Sequence, residues 1–129
     1  MKRLLENLLE QDIFKPPTEE ELEQRAKEFE QRKIEIFIKE YNGKLNPDGS
    51  YDFDRGFGRY SLSSVIENGR FIIKFGKVKG DFNCSDNNLT SLEGAPKYVG
   101  WDFYCRRNKK KFTEEEVRKV SEVKGKIIV

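Results

Sequence analysis

Val78-Lys-Gly-Asp-Phe-Asn-Cys-Ser-Asp-Asn87 and Val99-Gly-Trp-Asp-Phe-Tyr-Cys-Arg-Arg-Asn108 are one pattern written twice, 21 residues apart. Val78 recurs as Val99, Asp81 as Asp102, Phe82 as Phe103, Cys84 as Cys105 and Asn87 as Asn108. A period near 20 residues marks a repeat architecture, in which each unit buries its apolar side only by stacking on its neighbours. The first copy continues as Phe82-x-Cys84-x-x-Asn87-x-Leu89-x-x-Leu92-x-x-x-Pro96-x-x-Val99. Phe82 and Cys84 alternate inward as on a strand, and Leu89 and Leu92 fill the core behind them. Asn87 falls at the turn, where its amide can serve exposed backbone groups, and Pro96 favours an extended return arm over a helix.

This pattern resembles a bacterial-type leucine-rich repeat. More closely, Phe75-Gly-Lys-Val78, Gly80-Asp-Phe-Asn-Cys84 and Leu89-Thr-Ser-Leu-Glu-Gly-Ala-Pro96 resemble the small leucine-rich-repeat-like proteins encoded by tailed bacteriophages. The similarity takes in the lead-in Asn46-Pro-Asp-Gly-Ser-Tyr51 and the ending Phe112-Thr-Glu-Glu115, and so covers about two thirds of the chain. Relative to the usual repeat spacing there is one extra residue between Val78 and Phe82, which predicts a bulge. The resemblance implies a short parallel solenoid and carries almost nothing about activity. It further implies that outward strand residues form a shallow partner face, here Asp81, Asn83 and Ser85, then Asp102, Tyr104 and Arg106.

Working outward, Tyr60-Ser-Leu62 aligns with Phe82-Asn-Cys84 at a spacing of 22 and predicts a degenerate first coil, with Phe71-Ile-Ile-Lys-Phe75 as its return arm. In the third coil Lys110 stands where Leu89 stands in the second, so the stack should stop there, its charges discouraging strand addition. Thr113 and Glu116 form a capping box that predicts a short helix ended by Gly125, with Val117 and Val120 inward, covering the exposed end. Ile127-Ile-Val129 is a candidate last strand.

On the other side, Thr18 and Glu21 form a second capping box and open a long helix that Asn42-Gly43 stops. Glu21 with Arg25, Glu23 with Lys27, Glu28 with Arg32 and Glu35 with Lys39 have the acid-first spacing that supports a helix. Its apolar stripe is sparse at Leu22, Ala26 and Phe29 and dense at Ile34, Phe37, Ile38 and Tyr41. The last turns should therefore pack on the core, while the first are solvated or meet another protein. Asn46-Pro-Asp-Gly49 predicts a hairpin turn. Leu4, Leu5, Leu8 and Leu9 predict a helix ending before Pro16, too short to stand alone, which with Ile13 and Phe14 must dock on this chain or on a partner.

The expected fold is α+β: N-terminal helices and a hairpin packed on a leucine-rich-repeat-like β-solenoid of about three coils with a C-terminal capping helix. Residues 1–43 form a helical region and 44–129 the solenoid with its cap, as one cooperative unit.

The chain has 129 residues, 37% of them charged, and a net charge of +2 that hides an asymmetry. Acids outnumber bases by 11 to 8 from Met1 to Glu40, and bases outnumber acids by 9 to 4 from Tyr104 to Val129. Glu6 interrupts any signal-peptide core and no apolar run approaches membrane-spanning length, so a cytoplasmic location is expected, with no membrane partner. There Cys84 and Cys105 remain thiols and act as small buried hydrophobes. Without histidine they cannot complete a zinc site, and no Ser-His or Cys-His pair exists. Asp48, Asp52 and Asp54 lack the glycine and glutamate of a calcium loop. Arg55-Gly-Phe-Gly58 opens like an RNA-recognition motif, but Arg59 and Leu62 occupy its aromatic positions. The expectation is therefore a non-enzymatic chain with no metal and no cofactor.

What remains is binding. Arg106, Arg107, Lys109, Lys110 and Lys111 lie beside Trp101 and Tyr104, and Trp, Tyr and Arg are the residues most enriched at binding hot spots. The expected partner face comprises Asp81, Asn83, Ser85, Trp101, Asp102, Tyr104, Arg106 and Arg107. The expected function is that of a phage accessory protein binding a host protein, with inhibition of a defence or regulatory system as one such role. The alternatives are a nucleic-acid binder using the basic stretch 106–111, which would be salt-sensitive, and a structural protein of the virion or one that self-associates through its N-terminal helices.

Overall fold

The computed structural model describes residues 15–129, so the predicted Leu4–Leu9 helix with Ile13 and Phe14 lies outside the described residues. Among the described residues the fold is α+β, with two α-helices and several open sheets. Helix α1 spans Glu19–Tyr41, with the Thr18 hydroxyl accepting the Glu21 amide at 3.1 Å. The return bond from the Thr18 amide to Glu21 is not formed, because both groups are exposed and water competes for them. None of the four expected acid-first ion pairs closes either, since exposed pairs gain little over solvent. Gln24 and Gln31 instead bond the carboxylates of Glu28 and Glu35. Asn42 ends the helix in the left-handed region, φ 55°. As the stripe density predicts, Phe37 is buried, with Ile34, Ile38 and Tyr41 packed against the core, while Leu22, Ala26 and Phe29 are exposed.

Strands β1 (Lys44–Leu45) and β2 (Tyr51–Phe53) form the expected hairpin across Asn46–Gly49. A second hairpin, β3 (Ile66–Glu67) with β4 (Arg70–Phe71), was not foreseen. It turns on Asn68 and Gly69, both at positive φ, the Asn-Gly pair that such turns require.

The remaining strands are β5 (Phe75–Val78), β6 (Phe82–Asn83), β7 (Tyr98–Val99), β8 (Phe103–Tyr104), β9 (Glu122–Val123) and β10 (Ile127–Ile128). They pair in parallel in two sheets, β1-β2-β5-β7-β9 and β6-β8-β10. Registers repeat from one passage of the chain to the next: Phe53 on Val78, Val78 on Val99 and Val99 on Val123 in the first sheet. In the second, Phe57 bridges Phe82, Phe82 pairs Phe103 and Phe103 pairs Ile127. The interval Val78–Phe82 is thus a bend from one sheet into the other, repeated at 53–57, 99–103 and 123–127, and not the expected bulge.

Glycine serves these bends because neighbouring ones nearly touch. A Cβ on Gly80 would lie 2.6 Å from the Gly56 nitrogen, one on Gly100 2.5 Å from the Lys79 oxygen, and one on Gly125 2.5 Å from the Trp101 oxygen. Two further sequence expectations change. The first passage runs through Phe57, not Tyr60–Leu62: Phe57 is the buried aromatic in register, whereas Tyr60 is exposed and Ser63–Val65 forms a 3-10 turn. Helix α2 (Glu114–Val120) has the full Thr113–Glu116 capping box, but it ends before Gly125 and leaves Val120 exposed. It lies between Phe112 and β9 as the link to a further passage, so β9 and β10, not a helix, edge the two sheets on that side. Val120 is the last helical residue, and the chain turns extended at Ser121 to bring Glu122–Val123 against β7.

Phe37, Phe53, Phe57, Phe75, Phe82 and Phe103 form the centre of the core and are all essentially inaccessible. Their rings meet at centroid distances such as 5.0 Å for Phe53–Phe57 and 5.1 Å for Phe75–Phe82. Cys84 and Cys105 are buried free thiols, as expected. Desolvation pushes the Cys84 thiol well up and that of Cys105 up to about 11, so both stay protonated and unreactive at neutral pH.

Candidate protein-binding surface

The outer side of the β6-β8-β10 sheet is built by residues that alternate with the buried Phe82, Cys84, Phe103 and Cys105. Asp81, Asn83, Trp101 and Tyr104 come together there in one shallow depression of about 440 Å³ floored by Gly56, Phe57 and Gly80. Trp101 stands on the bend between the two sheets with 64% of its surface exposed. Its backbone is fixed from both sides, its amide donating to the Gly80 carbonyl at 3.3 Å and its carbonyl accepting the Gly125 amide at 2.8 Å. A large aromatic on a backbone held by both neighbouring passages offers contact area with little ordering left to lose.

The other expected site residues divide by what already holds them. Asp102 bridges passages: its amide donates to Asp81 Oδ1 at 2.9 Å, and its own Oδ1 accepts the Lys126 amide at 2.7 Å. Asp52 repeats the device at the Lys77 amide, 2.7 Å. Asp81 and Asp102 therefore tie one passage to the next as well as lining the surface. Ser85 is buried, its hydroxyl accepting the Arg106 amide at 2.9 Å, and so offers no outward group. Tyr104 directs its hydroxyl at Asp102 Oδ2, 3.4 Å away, and partial burial with the Asp102 and Asp81 charges raises its phenol above the ordinary range.

The basic stretch is not one field. Arg107 grips Asp86 through two bonds, at 2.7 and 2.9 Å, and Arg59 reaches the same carboxylate at 3.2 Å. Arg107 foremost holds the Asp86 carboxyl below its usual range. Lys110 pairs with Glu116 at 2.7 Å. Among the described residues Arg106, Lys109 and Lys111 have no acidic partner within 4 Å, leaving three of the five bases for solvent or a ligand. Asn108, at the centre of the stretch, is structural: its Oδ1 accepts the Asn87 and Leu89 amides and its Nδ2 donates to the Cys84 and Cys105 carbonyls.

On the other side of Trp101 a larger groove of about 1170 Å³ runs over the first sheet between the Asn46–Ser50 turn and Tyr98. The sequence offered one signal for it, the outward strand positions Lys77, Tyr98 and Glu122, but the turn that forms its far wall is brought in only by folding. Most of its charged lining residues have partners: Lys97 pairs with Asp48, Lys79 with Asp54 at 3.2 Å, and Glu122 with Lys124 at 3.3 Å, while Lys77 forms no salt bridge among the described residues. Trp101 is thus the ridge between two depressions. No group of three or more potential metal-binding side chains gathers among the described residues. No described helix is long and apolar enough to cross a membrane. Comparison with family models, curated proteins and solved structures found no match to this chain.

Proposed function

We propose that this chain is a non-enzymatic protein-interaction module, a short leucine-rich-repeat-like solenoid of the kind tailed phages encode, acting in the host cytoplasm on a host protein. The supporting observation is Trp101: a wide-open tryptophan on a backbone pinned by both neighbours, beside Tyr104 and next to two depressions. Residues of these types in the middle of a patch carry most of the energy in protein interfaces. The partner surface is Asp81, Asn83, Trp101, Tyr104 and Arg106, with Asp102 and Ser85 supporting it from beneath. Binding of nucleic acid by the basic stretch is the weaker reading, because Arg107 and Lys110 are already engaged by acids.

The test is capture from bacterial lysate on the immobilised full-length chain, followed by affinity measurement with the protein recovered. Trp101→Ala should weaken that affinity by about 30-fold or more, the effect of removing a hot-spot residue of ~2 kcal/mol. A partner retained equally by wild type and by the Trp101→Ala and Tyr104→Ala variants would overturn this assignment. Retention of nucleic acid alone, lost steeply with added salt, would replace it with the second reading.

A further inference from the structure

We propose that the projecting part of α1 pairs antiparallel with the same helix of a second copy, about a two-fold axis at Phe29. From Glu19 to Phe29 every residue of α1 is exposed, a stretch of about 16 Å standing clear of the core. A helical stretch of that length without tertiary contacts is marginal in water. It nevertheless carries large apolar side chains: Leu22 is 51% exposed, Phe29 60% and, further along, Ile36 66%. Seven residues fall about 20° short of two turns, so these three lie on one face within about 40° of one another. The buried Phe37 belongs to a different face.

The spacing is symmetric about Phe29. An antiparallel second copy therefore sets Phe29 against its own mate, Leu22 against the partner's Ile36, and Ile36 against the partner's Leu22. Charge selects this direction over the parallel one. Glu19, Glu20, Glu21 and Glu23 crowd the first turns, so a parallel pair would set four acids against four and align the helix dipoles. The antiparallel pair opposes the dipoles, sets Glu19 against the partner's Lys39, and leaves only one of the four acids, Glu23, facing an acid of the partner, Glu35. It also leaves the two bodies at opposite ends of the helix pair. The contact from Leu22 to Ile36 is about 21 Å long, well short of the roughly 1,600 Å² of a standard stable interface, so the dimer should be weak, on the order of micromolar or weaker.

Sedimentation velocity on the full chain should show monomer giving way to dimer as concentration rises, and Phe29→Glu should remain monomeric at every concentration with an unchanged melting temperature when dilute. Under oxidising conditions Phe29→Cys should form a linked dimer by itself, whereas Leu22→Cys should do so only when mixed with Ile36→Cys. The proposal is overturned by a wild-type chain that stays monomeric throughout, or by a dimer that survives Phe29→Glu, which would place the interface elsewhere. Self-linking of Leu22→Cys as readily as Phe29→Cys would establish a parallel pair and overturn it too. So would a Phe29→Glu variant that is less stable as a monomer, since the stripe would then be covered within its own chain.

Discussion

The passages around Phe82 and the first half of α1 are held in place by opposite means. In the passages many of the side chains that fix the backbone act across about 21 residues: Asp81 accepts the Asp102 amide, Ser85 that of Arg106, and Asn108 those of Asn87 and Leu89. In the first turns of α1 every stabilising bond is local, Thr18 to Glu21 and Gln24 to Glu28. The passages are therefore positioned by contacts with one another, whereas the helix start depends on propensity, its cap and whatever covers its apolar face. A binding surface set on the first region is preorganised; one set on the second gains order when it binds.

That contrast predicts a graded series of effects. Phe82→Ala removes the ring that touches Phe57, Phe71, Phe75 and Phe103. It should cost about 3–5 kcal/mol in denaturant unfolding. A cost below about 1 kcal/mol would mean that the passages are not one packed core. Asn108→Ala strands two amides and two carbonyls at the turn and should cost about 3 kcal/mol, since a polar group left unsatisfied costs about 1–3 kcal/mol and water can reach some of these. Equal stability would show that solvent replaces the side chain.

Acid should act on the bonds between passages before it acts on the helix. Asp48, Asp52, Asp86 and Glu116 all have carboxyl groups held below their ordinary values, first by Lys97, the Lys77 amide, Arg107 and Lys110 respectively. The unfolded chain takes up these protons more readily, so this stabilisation is complete above about pH 5 and is lost as pH falls through the lower folded values. With no histidine in the chain, melting temperature should be level from pH 5 to 8 and should drop on acidification below about pH 4.5. A level profile down to pH 3 would contradict the depressed values. The smallest effect belongs to α1: Leu22→Ser in dilute solution should change monomer stability by no more than about 0.5 kcal/mol, as for a surface position.

Much of this division is visible in the residues. The thinning stripe of α1, the Asn42-Gly43 stop, the Thr113–Glu116 box and the paired columns Val78/Val99 and Phe82/Phe103 all appear where local spacing places them. The misreadings share one cause. Tyr60-Ser-Leu62 and Phe57 are equally plausible strand residues locally, and only register against Phe82 separates them. The extra residue before Phe82 looks like an irregularity until the same interval is found at 53–57 and 123–127. Asp81, Ser85, Asp102 and Arg107 look outward-facing because of the residues they are, and all four are engaged by groups two dozen or so residues away.

By itself the sequence determined where the two described helices start, where the inward columns fall and that Trp101 and Tyr104 stand beside them, because these depend on propensity and on periodicity along a single strand. Tertiary structure alone decided that each passage bends between two sheets, that glycines sit where the bends nearly touch, and that the Asn46–Ser50 turn walls a groove beside Trp101. Those features depend on one backbone meeting another across a gap of 20 or more residues, and no local pattern encodes that distance.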